Sequence, residues 1–147
     1  MKSLVIYDSQ FGNTEKIAQA IATALGAPAV HVSKATNEDL KELDLLVIGS
    51  PVQAGNATQP IQQFVNKIPT GTLKSLTVAT FDTRMEIMIA KLFGYAADRT
   101  AKKLAQKGAT VSPNVGAFIV KGKEGPLKDG ELERAADWAK SLTTKSE

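Results

Sequence analysis

Short apolar runs alternate with helix-patterned segments along this chain, and that alternation restricts the fold more than any other feature. Strand-like runs fall at 3–8, 28–33, 44–50, 75–81 and 109–120. Helical spacing appears at 14–25, 59–68, about 87–107 and 129–143, with a short helix over 37–43 capped by Thr36 or Asn37. In Leu4-Val5-Ile6-Tyr7 no position is reserved for solvent, the pattern of a strand covered on both faces. Strands connected through helices form a parallel sheet, so the expected fold is α/β: a doubly wound, five-stranded parallel sheet with helices on both faces. Right-handed crossovers favour the order 2-1-3-4-5, with a ligand crevice at the switch point between strands one and three. Ser112-Pro113-Asn114 breaks the last run, and a proline is not accepted in a central ladder, so that run reads as an interrupted edge strand.

The crevice has a candidate ligand. Between the first strand and the first helix stands Ser9-Gln10-Phe11-Gly12-Asn13-Thr14, followed by Ile17, Ala18, Ile21, Ala24 and Leu25 at helical spacing. The loop therefore ends on a helix N-terminus, where unpaired N–H groups and the positive end of the helix dipole can bind a phosphate dianion without Lys or Arg. Ser9 and Thr14 supply hydroxyls, and Gly12 lets the backbone approach closely. The plainer alternative is a strand-to-helix turn in which Thr14 is an N-cap. Neither G-x-x-x-x-G-K-[ST] nor G-x-G-x-x-G occurs here.

The six residues instead match [ST]-x-[TYF]-G-[NH]-T at every defined position, and the segment resembles the FMN-phosphate loop of the flavodoxin family. The resemblance extends over most of the chain, to one flavodoxin-like domain spanning 1–147, of the short-chain class without a long insertion in the last strand. It implies that FMN is the cofactor, with Ser9, Gln10, Phe11, Gly12, Asn13 and Thr14 around its phosphate. It also implies that Pro51, Val52, Gln53, Ala54, Gly55 and Asn56, in the loop Gly49 to Asn56, border the isoalloxazine ring. In flavodoxins a peptide of that second loop turns its carbonyl toward flavin N5 on one-electron reduction. Gly55-Asn56 is the candidate here, since both tolerate positive φ; the alternative is a plain turn into the next helix, with Thr58 as cap and Pro60 in its first turn.

Two departures from the family stand out. Gln53 occupies a loop where many flavodoxins place a Trp or Tyr to stack on the ring, which implies weaker binding and less extreme potentials. The third loop, Phe81-Asp82-Thr83-Arg84-Met85, stands where the family often has a glycine-rich segment with a tyrosine. Phe81, Met85 or Met88 either covers a ring face or packs in the core. Asp82 and Arg84 either bond each other on the surface or address the flavin pyrimidine edge. Tyr95, after Phe93 and Gly94, lies beside the pocket or packs. His31, expected far from the switch point, reads as structural, and Trp138 as packing at the margin of the last helix.

With 43% apolar and 22% charged residues in 147, the chain has the balance of a globular domain large enough for one core. No apolar run reaches the ~18 residues of a bilayer span, and Met1-Lys2-Ser3 with four apolar residues is better used as a strand than as a signal peptide, which points to the cytoplasm. The absence of cysteine excludes disulfides and thiolate metal sites, and no His, Asp and Glu group has metal-ligand spacing. A net charge of +3 is unevenly spread: residues 1–74 hold six basic and six acidic residues, whereas 84–123 hold eight basic residues against Glu86 and Asp98. That segment is either a solvated helix face or a docking face for an acidic partner; nucleic acid is disfavoured because no aromatics interleave the charges. Flavodoxins are usually acidic, so the basic segment is a third departure.

The leading expectation is thus an electron carrier between a reductase and an acceptor protein, without a catalytic side chain. The alternatives are an FMN-dependent reductase of quinones or a porphyrinogen, and a flavin-free signalling or interaction module on the same fold. Receiver-type modules need an acidic cluster where Asp8 stands alone.

Overall fold

The computed structural model describes residues 1–86 and 95–143. In chain order these form β1 (Ser3–Tyr7), α1 (Asn13–Leu25), β2 (Ala29–His31), two 3-10 turns (Val32–Lys34 and Asn37–Leu40), β3 (Leu45–Pro51), α2 (Gln59–Lys67), β4 (Thr77–Met85), α3 (Ala96–Gln106), β5 (Thr110–Val111), β6 (Gly116–Val120) and α4 (Glu131–Thr143). All strand pairs are parallel, in the order β2-β1-β3-β4-β5, and β6 continues along β4 beyond β5. Pro113 sits in the gap between β5 and β6, so the interrupted edge strand is two short strands on one neighbour. The helix expected over 37–43 is a single 3-10 turn. Met88, Phe93, Gly94 and the first part of the helix expected from 87 lie outside the described residues.

Alternation along each strand divides the interior into two cores. Leu4 and Ile6 of β1 join Leu46 and Ile48 of β3, Val78 of β4, and Ile61, Val65 and Leu104 from α2 and α3. Val5, Tyr7 and Val47 face the opposite way, onto Ile17, Ala18 and Ile21 of α1 and Ala135 and Ala139 of α4. A fully buried aliphatic side chain stabilises by about 1.5–3 kcal/mol, so two-sided burial gives the strands their continuous apolar runs. Bulk is matched across strands: the Phe81 ring lies where a Cβ on Gly49 would be, 1.9 Å from its position, so Gly49 is small because Phe81 is large. Phe81, Phe118 and Trp138 meet edge-to-face with centroids 5.9–6.1 Å apart, which makes Trp138 part of the packing, as expected.

The sheet's edge at β6 is covered by side chains from α4. Glu131 accepts the Ile119 N–H at 2.6 Å and Arg134 donates to the Ala117 carbonyl, occupying backbone groups that an edge strand otherwise leaves open. The bonds from Arg134 hold the Glu131 carboxyl below its ordinary range despite burial. No helix among the described residues is long and apolar enough to cross a membrane.

Candidate functional site

Staggered strand ends create the cleft. Tyr7 pairs with Gly49 and Gly49 with Phe81, after which β3 runs on to Pro51 and β4 to Met85. Above the shortened β1 lies a space of about 370 Å³, a typical volume for a small-ligand pocket. Of the residues expected at a flavin, Gln10, Phe11, Asn13, Thr14, Pro51, Val52, Gln53, Ala54, Thr83 and Arg84 line it, and Met85 joins them. Ser9, Gly12, Gly55 and Asn56 form the turns behind this lining.

The first loop is built from its own interior. Ser9 Oγ accepts from the N–H groups of Gly12 (3.1 Å) and Glu15 (3.3 Å), so this hydroxyl oxygen shapes the loop from within. Gly12, the residue before α1, holds φ at +94° and has no side chain with which to cap the helix, so the third N–H of the helix, that of Glu15, is met by Ser9 instead. The Asn13 and Thr14 N–H groups are therefore orphan donors of a helix end, available to an anion. That disposes of Thr14 as N-cap: it belongs to the first turn, is 1% exposed, and its Oγ1 lies 2.8 Å from Thr83 Oγ1. Between two hydroxyls bonded to each other, one proton remains free to donate.

Asp8, just before the loop, joins three elements. Its Oδ1 accepts the Ser9 N–H at 2.9 Å and lies 3.1 Å from His31 Nε2, while its Oδ2 accepts from Thr58 Oγ1 at 2.6 Å. Thr58 precedes α2, with Pro60 in the first turn, as the sequence suggested. His31 is not remote from the switch point: it ends β2 beside Tyr7 and reaches the phosphate loop through one carboxylate. Its Nδ1 accepts the Ser33 N–H at 3.1 Å, which puts the ring proton on Nε2, toward Asp8.

The second loop is shorter than expected, because Gly49, Ser50 and Pro51 are still in β3. Gln53 and Asn56 exchange both backbone hydrogen bonds (2.8 and 2.9 Å) around Ala54 (φ +51°) and Gly55 (φ +81°), a two-residue hairpin turn of type I′. In such a turn the central peptide can invert with the flanking bonds kept, and here that peptide is Ala54–Gly55. Inverting Gly55-Asn56 pulls the Asn56 N–H off Gln53, so the geometry moves the candidate peptide back by one residue. Two side-chain bridges steady the turn: Gln53 Nε2 donates to Gln10 Oε1 (3.0 Å) and Arg99 Nη1 to Asn56 Oδ1 (2.6 Å).

The third loop is not a loop. Residues 81–85 continue β4, and strand alternation sends them to opposite faces. Phe81, 1% exposed, packs in the α1–α4 core and covers no ring. Asp82 is fully buried and accepts from Arg84 Nε and Nη2 (2.8 and 2.7 Å) and from the Ala97 N–H (2.9 Å) at the start of α3. This is an internal ion pair, neither the surface pair nor the pyrimidine acceptor that the sequence allowed. Burial pushes the Asp82 carboxyl up against the pull of those three donors. Arg84, over the Tyr95 ring at 4.7 Å, reaches the cleft from that pair. Tyr95 is buried at the start of α3 and is not part of the lining.

Two lining residues escaped the sequence reading, Val120 and Lys123. Asn13 Nδ2 donates to the Glu124 carbonyl at 3.1 Å, and a Cβ on Gly125 would lie 2.7 Å from Asn13 Oδ1, so the turn after β6 is clamped to the first loop with Lys123 at the cleft. The only signal in sequence was Gly122-Lys123-Glu124-Gly125 directly after an apolar run. With Lys123 and Arg84 in the lining, the described part of the cleft has two cations and no carboxylate.

A profile of the flavodoxin domain matches residues 4–120. The chain belongs to the flavodoxin domain family. An uncharacterized protein of Methanocaldococcus jannaschii is 28% identical over 97% of this chain and 98% of its own length. A flavodoxin of Aquifex aeolicus is 36% identical over 46% of the chain and 40% of that protein. Among solved structures, a flavodoxin from the domain Archaea superposes with a TM-score of 0.80 at 21% identity, covering 97% of this chain and 96% of that one. That likeness bears on the fold, and it agrees with the flavodoxin-like sheet order expected from sequence.

Proposed function

We propose that this protein binds one FMN and carries electrons between a reductase and an acceptor protein. The observation that carries the reading is the first loop: a helix start with Gly12 at φ +94° and the first two helical N–H groups, of Asn13 and Thr14, left open toward a cleft at the carboxyl ends of β1, β3 and β4. Family membership supports a flavin, and a phosphate-terminated flavin fits the orphan N–H groups of Asn13 and Thr14 and the Thr14–Thr83 hydroxyl pair. When bound, FMN supplies the redox chemistry, and the chain's residues hold and orient it. Ser9 to Thr14 would hold the phosphate, and Pro51 to Ala54 with Met85 would border the ring. Apo-protein titrated with FMN and with riboflavin tests this. FMN binding much more tightly is the expected result, and equal affinity counts against a phosphate site.

One observation favours a second reading. The turn at Gln53 and Ala54 has no aromatic, and among the described residues the cleft lining holds Lys123 and the Asp82-paired Arg84 but no carboxylate, which leaves room for an anionic small substrate over the ring. Turnover of quinones by the FMN-loaded protein with NAD(P)H alone supports an FMN-dependent reductase; no turnover without a protein acceptor supports the carrier.

A further inference from the structure

The α2–α3 side of the molecule is charged unlike the rest. Lys67, Arg99, Lys102, Lys103 and Lys107 stand there against Asp98, whose carboxylate accepts the Tyr95 N–H at 3.3 Å. Lys107 is used structurally, since its Nζ donates to the Asn66 and Ile68 carbonyls at the end of α2 (3.1 and 2.9 Å). Lys102 and Lys103 are exposed, and no salt bridge joins either to a carboxylate among the described residues. Between the helices lies a hollow of about 170 Å³, with Arg99 and Lys103 beside the amides of Asn56, Gln62 and Asn66. Cations and amides around a small hollow are complementary to carboxylates.

Arg99 belongs to this face and to the cleft. Besides its bond to Asn56 Oδ1, its guanidinium lies 3.7–3.8 Å from where a Cβ on Gly55 would be, flat against the turn. A neutral amide oxygen is a weaker partner for a guanidinium than a carboxylate, which accepts two parallel charge-assisted bonds. Without Arg99 the turn keeps its two hairpin bonds and the exposed Gln53–Gln10 bridge, while Ala54 stays at a strained positive φ that persists only when its surroundings enforce it.

We propose that the α2–α3 face receives an acidic segment of the protein's redox partner, and that a docked carboxylate takes Arg99 from Asn56 and loosens the turn bordering the cleft. Docking is then felt at the cleft wall, where Gln53 and Ala54 stand. The proposal rests on the carrier reading, and it gives the basic excess of residues 84–123 a role.

The test uses FMN-loaded protein and poly-L-glutamate as the probe, followed by amide NMR. Wild-type protein should bind the probe with an affinity that falls steeply with salt, and the Gly55 and Asn56 amides should shift as it binds. Lys102→Glu/Lys103→Glu should weaken binding about tenfold at low ionic strength. Lys16→Glu, on α1 across the sheet, should not. Arg99→Gln should retain part of the binding but lose the response, its Gly55 and Asn56 amides already standing where the wild type arrives at saturation. Equal losses from Lys16→Glu and the double variant overturn the docking face. Binding that leaves Gly55 and Asn56 unmoved, or Arg99→Gln amides that coincide with the free wild type, overturns the release of the turn. FMN affinity is measured separately by flavin fluorescence, so failure to bind FMN overturns the carrier reading whatever the probe does.

Discussion

The two lips of the cleft are built on opposite plans. The first loop is fastened inward: Ser9 Oγ gathers two of its N–H groups, Thr14 is buried against Thr83, and Asn13 clamps the turn after β6. The second is a four-residue hairpin turn whose side-chain bridges to the other described residues are two exposed ones, Gln53–Gln10 and Arg99–Asn56. A phosphate needs the same donors in every redox state of its flavin, which suits the rigid lip; a ring whose protonation changes is better served by the adjustable one. The contrast teaches that positive φ does different work in the two places. At Gly12 it aims a helix end, and at Ala54 and Gly55 it closes a turn that can reopen.

The contrast can be broken at four points, in decreasing order of effect. Thr14→Val removes a buried hydroxyl of the rigid lip and should weaken FMN binding by about 1–3 kcal/mol, measured by fluorescence titration, with riboflavin little affected. If both ligands lose affinity alike, Thr14 serves packing rather than the phosphate. Gly55→Ala meets only ordinary contacts from Arg99, so φ +81° alone should destabilise the turn by about 1–2 kcal/mol, read as faster exchange of the Asn56 N–H with FMN affinity nearly unchanged. Ala54→Gly has the opposite sign. Relief at φ +51° exceeds the added chain entropy by about 0.5 kcal/mol, so urea denaturation should show a small gain and the central peptide should become freer to invert. Lys123→Gln should cost FMN a few tenths of a kcal/mol at low salt and nothing at high salt, because an exposed cation at the rim is screened; a larger, salt-independent loss means that Lys123 contacts the phosphate directly.

Legibility from the sequence followed contact distance along the chain. The β1–loop–α1 unit was readable because strand, loop and helix are contiguous, and the same holds for Thr58 and Pro60 at the start of α2. The Pro113 break was readable because a missing N–H is a local fact. Residues 81–85 were misread as a loop since Asp82 and Arg84 look like surface polar residues until the Ala97 N–H closes over them. Strand alternation puts Phe81 and Thr83 together on the α1 face, Phe81 in the core and Thr83 against Thr14 in the first turn of that helix. Lys123 carried only the glycine-flanked turn signal after an apolar run, because its position depends on a bond between Asn13 and Glu124 spanning most of the chain. The turn at 53–56 carried a glycine signal, but only the paired bonds of Gln53 and Asn56 identify its central peptide.

Both lips rest on Asp8, and Asp8 meets the chain's only imidazole. One carboxylate takes the first N–H of the phosphate loop on one oxygen and the hydroxyl that introduces α2 on the other, so neither lip can shift its base without disturbing the position of His31. The protein thereby carries its own gauge. A proton spectrum of His31 contains one pair of ring signals, with nothing of its kind to overlap them, and those signals register strain arriving from either side of the cleft.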